Sequence, residues 1–403
     1  MRVLTVTSLW PNAAQPNHGI FVENRMARVH ATGRADITVI APVPWFPSTA
    51  SVFGPYATFA KVPAREERNG IRIEHPRYGT IPKVGMWVQP TLYHAALARC
   101  AKRLIAETGP FDIIDAHYFY PDGVAAARLA DELDLPLTIT ARGTDINLIP
   151  KGNEPARRAI LAAAARADAS ITVCEALRAE MIALGADGGR IHALRNGVDL
   201  EAFRPPTADR AALRKALGVP ADAPLVVSVG GLVERKGHHL TIDAVAALPG
   251  TNLLIAGGGQ EESALNARIA SLGVADRVRL TGPLPHAALA DFYGAADISV
   301  LASSREGWAN VLLESMACGT PVVATDVWGT PEVVASPEAG LLCSRDAVSL
   351  GTQIAALLAG LPERAETRAY AERFSWDETV DAVLQVFEDV VRERANGAGT
   401  GTG

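Results

Sequence analysis

Two glutamates eight residues apart, Glu306 and Glu314, frame the stretch Glu306-Gly307-Trp308-Ala309-Asn310-Val311-Leu312-Leu313-Glu314. Eight residues of continuous helix span about 12 Å. A hydrolytic acid–base pair works at about 5–9.5 Å, so this spacing suits holding opposite ends of one elongated ligand. Acids on helices are usually just solvated. Glu314, however, falls among Leu312, Leu313 and Met316, where a carboxylate without a task is costly. Ahead of it, Gly307 and Trp308 lead into a helix expected to begin near Ala309. The free amides and positive dipole end of such a helix suit a phosphate.

Two glycine turns add to this picture. Gly230-Gly231-Leu232-Val233-Glu234-Arg235-Lys236-Gly237 follows an apolar run, and its Arg235 and Lys236 can bring two cations to a diphosphate. On its own it reads equally well as an exposed basic turn. Gly257-Gly258-Gly259 follows a second apolar run, and Gly258 permits close backbone approach to a base or ribose. Neither turn is a P-loop, since no G-x-x-x-x-G-K-[ST] is present, and no G-x-G-x-x-G follows the first strand. A nucleotide sugar folded over the helix tip fits all of this. Its sugar hydroxyls would lie at Glu306, its diphosphate at the amides of Asn310, Val311 and Leu312, and its ribose at Glu314.

These loops need elements to hold them. Short β-branched runs alternate with alanine-rich helical stretches along most of the 403 residues. Strands are expected at 3–8, 36–42, 71–76, 111–117, 136–142, 170–174 and 191–195, then at 225–230, 252–256, 277–281, 298–302, 321–324 and 340–343. Most are nearly continuous in apolar residues rather than alternating, as in parallel strands buried on both faces. The pattern predicts an α/β protein of two doubly wound sheets, with ligands at the carboxyl ends of the strands. The Pro205-Pro206 pair reads as a domain linker. Phe374-Ser375-Trp376 opens a last amphipathic helix, and the Gly/Thr-rich end reads as a flexible tail.

Composition narrows the function classes. Residues 1–200 carry 22 Lys+Arg against 19 Asp+Glu, and residues 201–403 carry 16 against 25. The net −6 gives no support to a nucleic-acid partner; the mildly basic first half leaves an anionic acceptor or membrane surface open. The four cysteines stand singly, which speaks against disulfide and zinc frameworks. No apolar run reaches the roughly 18 residues needed to cross a bilayer, and no signal-peptide pattern opens the chain, so a cytoplasmic location is expected, with the inner membrane face as an alternative.

Glu306 through Glu314, followed by Met316-Ala317-Cys318-Gly319-Thr320-Pro321-Val322-Val323, resembles the E-x7-E signature of the family 4 retaining glycosyltransferases. Gly230-Gly231-Leu232 with Arg235-Lys236-Gly237 resembles that family's G-R-L…K-G diphosphate loop. Asn196-Gly197-Val198-Asp199 and Phe374-Ser375-Trp376 match its pattern too, so the likeness covers essentially the whole chain. It implies the GT-B fold, two Rossmann-like domains facing a cleft with the last helix crossing back. The expected division is 1–203 for the acceptor, 204–373 for the donor, 374–395 for the crossing helix and 396–403 for the tail. The family's usual arginine is Gly231 here, so either Arg235 replaces it or Lys236 carries the diphosphate grip.

The resemblance also assigns roles in the first half. It implies that the amide of Gly19 reaches the donor phosphate and that His117 sits against the transferred sugar, with Glu306, near the chemistry. His18, Tyr118, Arg142 and Asp145 are candidate acceptor contacts. His18, a lone loop histidine, is more often simply exposed; Tyr118 reads at least as well as core, and Arg142 with Asp145 equally as a structural pair, though an arginine there would suit a phosphate-bearing acceptor. The implied reaction is transfer from a UDP- or GDP-sugar to a glycan or lipid-linked acceptor, with retention and without an enzyme nucleophile, a cofactor or a metal ion. Assembly of a surface polysaccharide or glycolipid is the expectation by analogy. The rivals are a GT-B sugar-nucleotide epimerase, which needs no acceptor, and a non-enzymatic sugar-nucleotide-binding protein.

Overall fold

Ten strands come from the first part of the chain: β1 (Arg2–Thr7), β2 (Asp36–Ile40), β3 (Val43–Pro44), β4 (Arg65–Arg68), β5 (Ile71–Glu74), β6 (Arg77–Tyr78), β7 (Ile113–His117), β8 (Leu137–Ala141), β9 (Ala169–Thr172) and β10 (Ile191–Ala193). Six follow: β11 (Leu225–Val229), β12 (Asn252–Ala256), β13 (Val278–Gly282), β14 (Ile298–Leu301), β15 (Val322–Thr325) and β16 (Gly340–Cys343). The computed structural model describes residues 1–16, 18–80 and 88–399. Each of the thirteen strands expected from the sequence is present. Their apolar runs are buried on both faces: β7, β8, β9, β12, β14 and β15 show no exposed residue.

Two sheets result. The first has the order β10-β9-β8-β7-β1-β2-β5-β4 and the second β13-β12-β11-β14-β15-β16. All neighbours run parallel except β4, which pairs antiparallel with β5. The sequence reading missed β4 because Arg65-Glu66-Glu67-Arg68 has no apolar residue; charges of this kind protect a sheet edge. The β3–β6 pair is two residues long and carries no periodicity to detect.

Strand order reverses between β1 and β7 in one sheet and between β11 and β14 in the other. Those switch points are where an open α/β sheet leaves a crevice at its strand carboxyl ends. His117 ends one of these four strands, and the loops after the other three hold Gly19, the Arg235–Lys236 turn and Glu306.

The chain divides into two units, Met1–Arg195 with Asp377–Gly403, and Asn196–Trp376. The division thus falls before the Pro205-Pro206 segment read as a linker. That segment is packed into the second unit: Phe203 is buried, its ring lies edge-on to His286 at 4.9 Å, and Pro206 fills the space where a side chain on Gly294 would stand. The core of the first unit includes Val3, Val22, Met26 and Ile113, with Val383, Leu384 and Phe387 from the last helix. Val226, Leu232, Ile255, Ile298 and Val323 anchor the core of the second.

The last helix is Trp376–Gly399. Residues 396–399, expected in the tail, extend it instead, since propagating an established helix is far less costly than starting one. Residues 400–403 lie outside the described residues. Among the described residues no helix is long and apolar enough to cross a membrane. None of the four cysteines is in a disulfide, and all four are buried.

Candidate functional site

In the second unit the loop after β14 leads to the helix Asn310–Ala317. Glu306 lies in that loop, and three donors converge on its Oε1: Lys236 Nζ at 2.7 Å, Ser303 Oγ at 2.6 Å and Arg235 Nη1 at 3.1 Å. Burial pulls the Glu306 carboxyl upward, but the charges of Lys236 and Arg235 outweigh it and hold the group below the usual range. Arg235 also donates to the Arg305 carbonyl at 2.8 Å. Ser303 is fully buried, and its own carbonyl accepts from Thr325 Oγ1 at 2.6 Å. The carboxylate and both cations therefore form one ionised cluster on a fixed base.

Glycine chemistry explains how the two turns approach each other. A Cβ on Gly257 would stand 1.9 Å from the Gly230 carbonyl oxygen, and one on Gly259 would stand 2.4 Å from that of Leu232. Those glycines let two loops pack backbone to backbone. A Cβ on Gly231 would meet nothing nearer than 3.9 Å, and one on Gly258 nothing nearer than 3.8 Å. Packing does not demand glycine at these two positions, so their open space is where a ligand can approach the backbone. Gly237, at φ 67, starts the next helix with the Ala302 carbonyl oxygen 2.1 Å from its Cβ position.

Glu314 lies within the helix, and burial pushes its carboxyl up to about 7, against the buried hydroxyl of Tyr293. Its state therefore changes near neutrality, and ligand hydroxyls donating to it would favour the ionised form. The start of this helix is less open than expected. The amide of Asn310 donates to the Trp308 carbonyl at 3.2 Å and that of Leu312 to the Ala309 carbonyl at 3.0 Å, because the chain turns tightly at Trp308–Ala309. Two of the three amides read as a phosphate cradle are thus already used. Leu312 points into the core and Val311 is half-buried. Gly307 is half-buried in the loop. Trp308 is mostly buried, its ring centroid 6.1 Å from that of Phe374. Among the described residues no three His, Cys, Asp or Glu side chains gather at metal-ligand spacing.

Two sequence pieces far apart in the chain meet here. A Cβ on Gly197 would stand 2.6 Å from the Trp376 amide nitrogen, and the Val198 amide donates to the Phe374 carbonyl at 2.9 Å. Asn196 Nδ2 donates to Asn310 Oδ1 at 3.4 Å. His238 escaped the sequence reading. It is buried, its Nδ1 lies 3.2 Å from Ser228 Oγ and its Nε2 lies 3.3 Å from the Gly231 carbonyl. Burial pushes it down to about 4, so a neutral imidazole braces the Gly230-Gly231 turn. Its place directly after Lys236-Gly237 was the available signal.

In the first unit, Gly19 precedes the helix Ile20–Ala31 at φ 69, and a Cβ there would fall 2.3 Å from the Leu9 carbonyl. His18 is exposed, with Nε2 3.0 Å from the Ser8 carbonyl oxygen. His117 ends β7 at 1% exposure. Arg142 Nη2 donates to its Nδ1 at 2.6 Å, which places the ring proton on Nε2, 2.8 Å from Asp115 Oδ2 but off the line of a straight hydrogen bond. Burial, opposed by Asp115 and reinforced by Arg142, brings His117 down to about 4. Both ring nitrogens face protein groups, so a direct sugar contact by His117 requires one of them to let go.

The guanidinium of Arg142 also lies over the Phe21 ring at 5.5 Å. Asp145 is fully buried, and its carboxylate accepts from the amides of Phe119 at 2.8 Å, Gly143 at 2.8 Å and Arg142 at 3.0 Å. Those three bonds tie the loop after β7 to the loop after β8; they leave Asp145 no exposed face toward an acceptor. Tyr118 is half-buried at φ 83. Asp122, also missed, is buried and holds the β7 loop to the β1 loop, accepting from Ser8 Oγ at 3.0 Å and Tyr93 OH at 2.7 Å.

The comparisons with known proteins bear on this arrangement. The model of the Glycosyltransferase Family 4 matches residues 52–202, and that of the Glycosyl transferases group 1 matches residues 209–393. The D-inositol 3-phosphate glycosyltransferase of Xylanimonas cellulosilytica is 32% identical over 368 residues, 85% of this chain and 88% of the relative. A Bacillus subtilis protein named as a teichuronic acid biosynthesis glycosyltransferase is 29% identical over 359 residues, 88% of each chain. The crystal structure of Anabaena HepE in complex with UDP matches with a TM-score of 0.75 at 21% identity, covering 96% of this chain and 100% of that one. With both halves matched and the two Rossmann-like units described above, the chain belongs to the group 1, family 4 glycosyltransferases and has their GT-B fold.

Proposed function

We propose that this glycosyltransferase moves a sugar from a nucleotide-sugar donor to a glycan or lipid-linked acceptor, with retention of configuration, in surface polysaccharide or glycolipid synthesis. The reading is carried by the convergence of Lys236 and Arg235 on Glu306, 2.7 and 3.1 Å away. Two cations held by one carboxylate beside the open backbone of Gly231 and Gly258 form a ready receptor for a diphosphate. On arrival of the donor, the diphosphate takes over the cations and Glu306 turns to the sugar hydroxyls. Glu314, whose carboxyl titrates near 7, accepts from the ribose. Arg235 stands in for the cation absent at Gly231.

Transfer then needs stabilisation of the leaving diphosphate and correct placement of the acceptor. Lys236 and Arg235 supply the charge without a divalent ion, and the leaving phosphate takes the acceptor's proton. Retention rests on the likeness of the Glu306–Glu314 segment to the retaining family. The relatives' names, inositol phosphate and teichuronic acid, support a polyol or glycan acceptor with an anionic group, for which Arg142, just after β8, is the candidate cation.

The test is to incubate the chain with UDP-sugars, then GDP-sugars, together with polyol phosphates or glycan acceptors, in the presence of EDTA. Release of nucleoside diphosphate with a product of unchanged anomeric configuration by proton NMR is expected. Product of inverted configuration, or activity abolished by EDTA and restored by a divalent ion, contradicts the corresponding part of the reading.

A further inference from the structure

The edge strand β4 consists of charges alone, Arg65-Glu66-Glu67-Arg68, yet its two faces differ: Arg65 and Glu67 are exposed, while Glu66 and Arg68 are half-buried. Shielding of the sheet edge accounts for the exposed pair. The inward pair has specific partners. The Glu66 carboxylate accepts the Ala13 amide with both oxygens, at 3.1 and 3.3 Å, and Arg68 donates to Glu23 through Nε at 2.7 Å and Nη2 at 3.2 Å. Ala13 lies in the loop after β1, ahead of Gly19, and Glu23 lies in the helix Ile20–Ala31 that follows Gly19. One strand therefore holds the chain on both sides of Gly19.

A second grip comes from the loop after β7. There Asp122 is fully buried, and its carboxylate accepts from the Ser8 amide, from Ser8 Oγ at 3.0 Å and from Tyr93 OH at 2.7 Å. Burial pushes this carboxyl up to about 7 against the pull of those donors, so an acid is costly here where an apolar residue would simply pack. Tyr93 is itself fully buried, its ring 5.2 Å from that of Tyr78, and gives the acid a fixed base. What the acid fixes is Ser8. The Ser8 carbonyl oxygen lies 3.0 Å from His18 Nε2, and the carbonyl of the next residue, Leu9, lies 2.3 Å from the Cβ position of Gly19. The placement of both Gly19 and His18 thus passes through Ser8.

We infer that Asp122, acting through Ser8, and Glu66, acting through Ala13, are positioning residues that set Gly19 and His18 for sugar transfer. Both roles rest on the transfer proposed above, and neither residue belongs to the donor grip of Lys236, Arg235 and Glu306. Loss of either hold lets the loop after β1 leave its place. Fewer bound complexes are then ready to react, while the grip on the donor is unchanged.

The experiment measures kcat and donor KM of the full chain with UDP- and GDP-sugars and polyol phosphate or glycan acceptors. Glu66→Ala and Asp122→Ala are compared with the conservative Glu66→Gln and Asp122→Asn, and with Glu67→Ala, an exposed charge of the same strand, as control. Both alanine variants are expected to lose about ten-fold in kcat with donor KM within about two-fold of wild type. Amide hydrogen exchange in the segment 8–16 should quicken in the same two variants. Gln and Asn keep an oxygen that accepts the Ala13 and Ser8 amides, so they should recover most of the rate. Glu67→Ala should match wild type. Asp122→Ala leaves buried donors unpaired and is the variant most prone to unfold; Glu66→Ala, on an edge strand, keeps the test decisive in that event. Wild-type kcat in Glu66→Ala, a loss confined to donor KM, no recovery in the conservative pair, or an equal loss in Glu67→Ala overturns the inference and leaves transfer itself standing. Absence of turnover in wild type overturns the transfer reading and both positioning roles with it.

Discussion

Replacing Glu314 by Gln should make the ligand-free protein more stable while removing its response to donor. In the fold the carboxyl titrates at about 7 against an ordinary value of 4.5, because burial disfavours its charge. At about 1.4 kcal/mol per pH unit, that difference of about 2.5 corresponds to a penalty on the order of 3 kcal/mol once the group is ionised in the unfolded chain. A buried Gln beside Tyr293 has its own polar cost, about 1–2 kcal/mol, so the net gain is about 1–2 kcal/mol. For a unit of this size that is about 3–6 °C in melting temperature. The pH dependence is the sharper signature. The Glu314 contribution to wild-type stability falls as pH rises from 4.5 to 7, since this carboxyl then releases a proton on unfolding, and it levels off above. Near pH 4.5 only the polar cost of the Gln remains, so Glu314→Gln should there be about 1–2 kcal/mol less stable than wild type, and the gain should be full near pH 8. Thermal unfolding followed by circular dichroism at four pH values reads this directly. A variant less stable at every pH, or a gain that does not change with pH, would refute the reasoning.

Other consequences follow from the same geometry. Glu306→Ala frees Lys236 and Arg235, so calorimetry should show a nucleoside diphosphate binding several-fold more tightly while sugar transfer is lost; weaker diphosphate binding would show that Glu306 does not compete for these cations. Gly257→Ala places a methyl group 1.9 Å from the Gly230 carbonyl oxygen and should unfold the second unit or lower its melting point by many degrees. Gly258→Ala, with 3.8 Å of room, should melt like wild type yet bind donor at least about ten-fold less well; equal melting of the two variants would contradict the packing argument. Arg142→Ala removes a charge that helps hold His117 near 4, so the imidazole pKa followed by NMR should rise, though burial keeps it below the ordinary value. An unchanged or lower pKa would mean that the pair is not coupled.

The parts that were legible in the sequence share a physical cause. Parallel strands buried on both faces are nearly continuous in apolar residues, so β11, β12, β14 and β15 announce themselves, and the loops after them follow from topology. Gly19 and Gly237 were legible only through the family resemblance, and the structure supplies the physical reason for glycine there: both turn at positive φ against a neighbouring carbonyl. Partners brought together by folding were not legible. Nothing local says that Lys236 and Arg235 rest on Glu306, or that Gly197 lies under Trp376. Asp145 looked like half of an ion pair with Arg142 because their side-chain types match, yet its carboxylate serves three backbone amides. His238 had only its place after Lys236-Gly237 as a signal, and its partners, Ser228 Oγ and the Gly231 carbonyl, appear only in the fold. The Asn310–Leu312 cradle was overstated because the tight turn at Trp308 cannot be inferred from composition.

The central claim is that the second unit grips a nucleotide sugar through Lys236 and its partners. Isothermal titration of UDP-, GDP- and ADP-sugars into wild type and Lys236→Met tests it most directly. The account predicts that one nucleotide class binds wild type and that Lys236→Met, still folded, binds it at least about ten-fold more weakly, in keeping with the loss of a charge-assisted contact. Equal binding by the two proteins, or binding of no nucleotide sugar even with acceptor present, would contradict it.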